Sequence, residues 1–149
     1  MAKFIYKLQN VLNLKLKMEG QAKEAFSAAR MALDEEEEKL QALKDRKRGY
    51  EEHARELLNG TLNMLEIESN QNAITVMDGL IAAQALQVQK AEQNLERARV
   101  EMTVAMQERK TQEILRERAF EEFLQEENRA ESKAIDELTS YTYGQKQGV

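Results

Sequence analysis

The sequence predicts an all-α fold, a long antiparallel hairpin of two helices that pair as a coiled coil. Composition is the first observation: 80 of the 149 residues are Ala, Glu, Lys, Leu or Arg, a proportion typical of long helices. Proline is absent and glycine occurs six times, so few residues interrupt a helix. Apolar residues recur with heptad spacing along two long segments, separated by one marked break at Asn59 and Gly60.

The first segment predicts a helix over about residues 3–58. Its seam positions alternate steps of four and three residues, the spacing of a coiled-coil face. Lys15 is a charged exception, and two consecutive steps of four, from 32 to 36 to 40, predict a stutter that locally unwinds the supercoil. The predicted seam residues are Phe4, Leu8, Val11, Lys15, Met18, Ala22, Ala25, Ala29, Ala32, Glu36, Leu40, Leu43, Lys47, Tyr50, Ala54 and Leu57.

The break predicts a connector over about residues 59–73. Gly60 follows the last periodic residue and is a common helix stop, while Thr61 is a candidate cap for a new helix. Leu62, Leu65 and Ile67 suggest a short helical turn. The polar run 69–72 predicts a second irregular point, because Ser and Asn side chains compete with helical hydrogen bonds.

The second segment predicts a helix over about residues 74–138. Its seam is regular through Ala105, a polar run over residues 107–113 interrupts it, and a looser pattern follows to Leu138. Residues 139–149 lack periodicity and predict a flexible tail, so residues 1–138 form one coiled-coil domain. The regular seam consists of Ile74, Met77, Ile81, Gln84, Val88, Ala91, Leu95, Ala98, Met102 and Ala105.

Charge favours the antiparallel hairpin over a parallel dimer of continuous helices. Residues 1–18 carry four lysines and no acid, a charge of +4, whereas residues 119–137 carry a charge of −5. A hairpin brings these two ends together. If the turn centres near residue 65, paired residue numbers add up to about 130, and the polar run 107–113 faces residues 17–23.

Composition also excludes several functional classes. The chain has no cysteine and a single histidine, His53, so a disulfide framework, a zinc centre and a histidine-based triad are not expected. The longest apolar stretches are too short to span a membrane, and the N-terminus lacks a secretory signal. We therefore expect a soluble cytoplasmic protein that is not an enzyme and that needs no metal or cofactor.

Two charged runs are interpreted as solvated helix faces. The acidic residues 34–38 lack the alternating ligand spacing of a calcium loop. The basic residues 44–48 stand in a chain of net charge −5 without interleaved aromatic residues, so nucleic acid is not an expected partner.

Apolar residues beyond the seam leave two interpretations open at each end of the hairpin. Val76, Leu80, Ala83 and Leu86 lie off the main stripe, and they predict either a wider core or an exposed partner-binding face. At the other end, Phe4, Ile5, Tyr6 and Leu8 pack on Phe120, Phe123 and Leu124, or they contact a partner.

The two ends of the chain carry a family resemblance. Residues 4–23 read F-I-Y-K-L-Q-N-V-L-N-L-K-x-K-x-E-x-Q-A-K, and residues 127–138 read E-N-R-A-E-S-K-A-I-D-E-L. The first run resembles the aromatic-x-aromatic-x-Leu start of the flagellar export protein FliJ family, and the second resembles its acidic ending with Asp136 and Glu137. Chain length and the two-helix layout are also similar.

The resemblance implies a fold similar to the central stalk of rotary ATPases and a set of partners. FliJ-like proteins insert the end carrying both termini into the hexameric flagellar export ATPase and stimulate it. They also contact the cytoplasmic domain of the membrane export gate and escort export chaperones, at the cytoplasmic side of the cell membrane. The ATPase-binding residues implied here are Lys3, Phe4, Tyr6, Leu8, Asp136, Glu137 and Leu138.

The gate-binding surface of the family maps onto the start of the second helix. Alignment back from the C-terminal motif places it at Ala73, Met77, Leu80 and Gln84, where this chain lacks the aromatic residue and the histidine of the family pattern. Two other functions share the predicted fold: a generic dimeric coiled-coil scaffold, and the stalk of a related injectisome or rotary ATPase.

Overall fold

The computed structural model describes residues 2–147, and its two helices pack against each other as a hairpin. Helix α1 spans Gln9–Leu57 and helix α2 spans Met64–Gln147. Within residues 2–147 there is no β-strand, which confirms the predicted all-α coiled-coil hairpin. No helix in that range is both long enough and apolar enough to cross a membrane.

Contacts between the helices group into two units, each of which contains part of both helices. Unit 1 comprises residues 1–20 and 104–149, and unit 2 comprises residues 21–103. In both units, each interhelical contact joins two residues whose numbers add up to between 120 and 128. The predicted value of about 130 was therefore too high, and each α1 residue faces a residue nearer the start of α2 than expected.

Helix α1 begins later than the sequence predicts. Residues 2–6 have no regular structure and residues 7 and 8 form a turn, so the predicted helix start near residue 3 is wrong. The carbonyl of Leu8 accepts the first hydrogen bonds of the helix, from the amides of Val11 and Leu12. The non-helical backbone lets Phe4 turn onto α2, where its ring contacts Phe120 at a centroid distance of 5.1 Å.

The seam of α1 runs without a stutter. Buried and half-buried side chains recur in strict steps of three and four from Leu12 to Leu57, so the predicted stutter at 32–40 is wrong. The prediction chose Met18 because it is apolar, yet Glu19 is the seam residue, and it is 7% exposed because its carboxylate pairs with Arg109. Two further seam positions move by one residue, from Ala25 to Phe26 and from Ala32 to Leu33, while Ala22 and Ala29 lie in the seam as predicted.

The connector is shorter than predicted. It comprises residues 58–63, with Gly60 in the left-handed region at φ 84°, a conformation that glycine adopts without strain. Asn63, and not Thr61, caps α2: its side-chain oxygen accepts hydrogen bonds from the amides of Leu65 and Glu66 at 3.2 and 3.4 Å. The run 69–72 is helical, because Asn70 lies in the seam and donates to the Tyr50 carbonyl.

Helix α2 also continues past its predicted end. Residues 139–147 are helical, so the predicted loose tail is wrong there, and residues 148–149 lie outside the described residues. The early seam of α2 follows the predicted positions from Ile74 to Ala105. Because α2 outruns α1, every described side chain from residue 128 to residue 145 is exposed.

Candidate functional site

The N-terminal segment, residues 2–8, forms an aromatic cluster with α2 inside unit 1. The Phe4 ring lies edge-on to Phe120 and 5.4 Å from Phe123, measured between ring centroids. The Arg116 guanidinium lies 5.7 Å from the centroid of the Phe4 ring, within cation–π range. Tyr6 donates its hydroxyl hydrogen to the Gln112 side chain at 3.4 Å. The expected packing of Phe4 on Phe120 and Phe123 is thus present.

A groove of about 740 Å³ lies beside this cluster and leaves one side of the N-terminal segment accessible. Lys3 and Leu8 are exposed, while Phe4 and Tyr6 are half-buried. The groove is lined by residues 3–8 together with Ala119, Glu122, Phe123 and Glu126. Four of the residues that the family resemblance implies in ATPase binding therefore share one surface: Lys3, Phe4, Tyr6 and Leu8.

The C-terminal three of those residues lie elsewhere on α2. Asp136, Glu137 and Leu138 are exposed, and Asp136 follows Phe123 by 13 residues, about 20 Å along an α-helix at its usual rise. Residues 2–20 face residues 104–123, so Asp136, Glu137 and Leu138 lie beyond the end of the N-terminal segment. The termini thus provide two separate surfaces, a basic and apolar one and an acidic one.

Acidic and basic side chains form a charged layer in the seam of unit 1. The layer consists of Lys15, Glu19, Glu108, Arg109 and Glu113. Glu19 accepts a hydrogen bond from Nε of Arg109, whose Nη1 also donates to Glu113 at 2.8 Å, and Lys15 bridges Glu108 at 3.0 Å. The hydrogen bond to Glu19 raises the pKa of Arg109 above its ordinary value. Ion pairs thus join the polar run 107–113 of α2 to the facing residues of α1. Reasoning from apolar periodicity alone missed these pairs.

The family-implied gate-binding residues do not form one accessible surface in unit 2. Met77 is 4% exposed, and Gln84 points into the seam and donates to the Glu36 carbonyl at 3.0 Å. Ala73 is half-buried, which leaves Leu80, 44% exposed, as the accessible member. Both Met77 and Gln84 stand at predicted seam positions, so the heptad pattern already pointed to their burial.

The surplus apolar residues of α2 are exposed instead. Val76 and Leu86 are each 59% exposed, and Ala83 is exposed as well, so the wider-core interpretation is wrong. A groove of about 420 Å³ near the connector is lined by residues of both helices: Tyr50, His53, Leu65, Glu66, Ser69, Asn70 and Ala73. The exposed residues Val76, Leu80, Ala83 and Leu86 lie outside this groove, and we call them the apolar face of α2.

The described side chains offer little that could bind a metal ion or carry out a reaction. Among residues 2–145, no group of three or more His, Cys, Asp or Glu side chains is arranged to hold a metal ion. His53 lies on the surface and forms a 3.6 Å contact with Glu56, one turn further along α1.

Comparison with known proteins gives one family match and one structural match. The family model described as the flagellar FliJ protein matches residues 4–148. A solved structure from Chlamydia trachomatis, of a protein described as the YscO homolog CT670, superposes with a TM-score of 0.62 at 25% sequence identity, covering 95% of this chain and 96% of that chain. No curated protein matches the sequence.

Proposed function

The chain belongs to the FliJ family of flagellar proteins, a component of flagellar or type III protein export, and from this premise we propose that it acts as the central stalk of the hexameric export ATPase. In this role it binds the ATPase, stimulates hydrolysis without catalysing it, links the ATPase to the cytoplasmic domain of the membrane export gate, and escorts export chaperones. It works at the cytoplasmic side of the cell membrane, with which it is peripherally associated.

The proposal that the chain binds the export ATPase depends on the surface of residues 2–18. Five large apolar side chains are exposed there, alongside four lysines and no acid. Between residues 19 and 57, all of which the structure describes, Met31 is the one large apolar side chain of comparable exposure. Exposed apolar and basic residues concentrated at one end are typical of a protein-binding surface. The five apolar residues are Ile5, Leu8, Leu14, Leu16 and Met18.

The C-terminal part of α2 supports the same role. Most helical stability in proteins comes from tertiary packing of one face, and every described side chain of residues 128–145 is exposed. We infer that they pack against the ATPase, with Leu138 as an apolar contact and Asp136 and Glu137 as charged ones.

The rate of ATP hydrolysis by the purified cognate export ATPase tests this proposal. Lys3→Glu combined with Leu8→Asp changes the N-terminal surface, and Leu138→Asp changes the C-terminal one. Because these side chains are exposed, the variants should keep the helical signal of the wild type and lose stimulation. The matched control is Met31→Asp, equally exposed on α1, which should stimulate fully. Normal stimulation by both end variants would reject the stalk role.

The export gate is proposed to bind the apolar face of α2. Met77 is buried and Gln84 is half-buried in the seam, so we expect Val76 and Leu86, with Leu80, to make the contact. Val76→Asp combined with Leu86→Asp should abolish binding to the purified gate domain in a pull-down. Val100→Asp, on a similarly exposed residue of α2, should not.

The match to a YscO homolog favours a second candidate, the corresponding stalk of an injectisome. The two candidates differ in the machine and not in the fold. A flagellated strain that lacks its own FliJ protein separates them: restored swimming by this chain supports the flagellar role, whereas absent swimming together with restored injectisome secretion in a matching strain supports the alternative.

A further inference from the structure

Charged residues occupy seam positions of this coiled coil where apolar residues are the rule. In unit 1, Glu19 is 7% exposed and receives Arg109, whose guanidinium also reaches Glu113 at 2.8 Å. One turn away, Lys15 bridges Glu108 at 3.0 Å. In unit 2, Lys47 bridges Asp78 at 2.6 Å. The pairs Glu19–Arg109, Lys15–Glu108 and Lys47–Asp78 each join α1 to α2 and join opposite charges.

Stability alone does not explain such a layer. Replacing a buried ion pair by apolar residues is often neutral or stabilising, because desolvation offsets much of the attraction. The best-attested role of polar seam residues is to fix register and the number of chains. The charged layer is therefore expected to disfavour other pairings of the helices.

A parallel pair of two copies is strongly disfavoured by the same residues. In an in-register parallel dimer, each seam residue lies beside its own equivalent. Glu19 would then face Glu19, Arg109 would face Arg109 and Lys47 would face Lys47. Like charges at seam positions repel in a partly desolvated setting, so the charges are complementary in the hairpin and not in the parallel dimer.

A slipped hairpin is disfavoured as well. Sliding the helices by one heptad in one direction places Glu19 opposite Met102 and Arg109 opposite Leu12, which leaves two charges against apolar partners. The neighbouring seam resists slippage weakly, because small alanine side chains recur there and make shallow contacts. These alanines are Ala22, Ala29, Ala91, Ala98 and Ala105.

We propose that the Glu19–Arg109 pair, together with Lys15–Glu108, is a specificity lock that selects antiparallel pairing of α1 with α2 in one register and excludes parallel pairing with a second copy of this chain. The lock is independent of the ATPase role, since it concerns the oligomeric state and register of the isolated protein.

The test compares mass and register in wild type and in Glu19→Leu combined with Arg109→Leu. Mass comes from light scattering over a range of protein concentrations. Register comes from cysteine pairs, which are unambiguous because the chain has no cysteine of its own. Cysteines at Ala22 and Met102 report the native register, and cysteines at Ala22 and Leu95 report the one-heptad shift that places Glu19 opposite Met102, about 10 Å along the helix and too far for a disulfide in the native state.

We expect wild type to be a monomer that forms the native cross-link alone. The variant with both Glu19→Leu and Arg109→Leu, called the leucine pair, should stay helical. It should show a concentration-dependent doubling of mass, the shifted cross-link, or both. Glu96→Ala combined with Arg99→Ala, which removes an exposed ion pair within α2, is the matched control and should behave as wild type. A leucine pair that stays monomeric with the native cross-link alone would falsify the proposal.

A second variant decides the question if the leucine pair aggregates. Arg109→Glu alone places a carboxylate opposite Glu19 and should weaken the native cross-link. Adding Glu19→Arg restores a pair of opposite charges in reversed order, and it should recover the native cross-link and the monomeric mass. Failure of this reversal to recover either property, while the protein remains helical, overturns the lock.

Discussion

The seam of unit 2 and the seam of unit 1 are built from different chemistry. In unit 2, the α2 seam from Ile74 to Met102 is mostly apolar, and Met77, Val88, Ala91 and Ala98 are buried. In unit 1, the corresponding positions hold the charged layer and the aromatic cluster of Phe4, Phe120 and Phe123. Apolar burial is non-directional, whereas ion pairs and ring contacts require particular partners.

This difference separates two tasks along one coiled coil. The seam of unit 2 stabilises pairing through buried apolar area. The polar and aromatic seam of unit 1 contributes specificity, and the adjoining apolar side chains Ile5 and Leu8 remain exposed.

The largest expected loss of stability comes from the apolar seam. Met77→Ala removes a side chain that is 4% exposed, and a buried Met→Ala change costs roughly 2–5 kcal/mol. Urea denaturation followed by circular dichroism measures it. Val76→Ala, next along the helix but 59% exposed, is the control and should change the free energy of unfolding by less than about 0.5 kcal/mol. Equal effects at both positions would place the seam elsewhere.

The aromatic cluster should contribute less. Phe4→Ala removes a half-buried ring with two aromatic neighbours, and we expect a loss of about 2 kcal/mol, from apolar burial and ring contacts. Hydrogen exchange should accelerate at residues 9–20 and 104–123 and stay unchanged near Met77. Ile5→Ala, on a residue 76% exposed, serves as control. Acceleration along the whole of α1 would contradict the division between the two seams.

Much of this fold was predictable, because apolar periodicity encodes it directly. The α2 seam from Ile74 to Ala105 and the left-handed glycine at Gly60 follow from spacing and from glycine chemistry. The α1 seam was misplaced by one residue at Met18, Ala25 and Ala32, and at the first of these an apolar-periodicity rule prefers Met18 to Glu19. A buried glutamate is predictable only once its partner is known, and Arg109 is 90 residues away in sequence.

The candidate site was less predictable than the fold. Family resemblance placed a partner contact at Met77 and Gln84, although the heptad pattern assigned both positions to the seam. Contact surfaces depend on the flanks of the seam, and Val76 and Leu86 emerge there only when the packing is known. Leu138 is separated from Phe4 because α2 continues past the N-terminal segment.

A smaller effect is expected at the connector, and it distinguishes the two candidate caps of α2. Asn63→Ala removes the side-chain oxygen that accepts hydrogen bonds from the amides of Leu65 and Glu66, and loss of such a cap costs about 1 kcal/mol. Thr61→Ala should leave the thermal midpoint unchanged, because no hydrogen bond joins Thr61 to the helix start within the described residues. The reverse result would restore Thr61 as the cap.

The smallest effect concerns a polar contact within the mostly apolar seam of unit 2. Gln84 donates from its side-chain amide to the Glu36 carboxylate and carbonyl, and this bond holds the pKa of Glu36 below its ordinary value of 4.5. A lowered pKa in the folded state means that the folded protein binds fewer protons than the unfolded chain. The contribution of Glu36 to the free energy of unfolding is therefore present above pH 4.5 and is lost as pH falls through the lowered pKa. Glu36→Gln removes the titrating group.

Thermal midpoints of wild type and Glu36→Gln, measured from about pH 7 to about pH 3, check the sign. Wild type should be the more stable at neutral pH, and the difference should shrink below pH 4.5. The same substitution at the exposed residue Glu37 corrects for the loss of one surface charge. A difference that is constant across this range would show that the amide of Gln84 holds Glu36 by packing alone. The polar contact in unit 2 would then act like its apolar neighbours and not like the charged layer of unit 1.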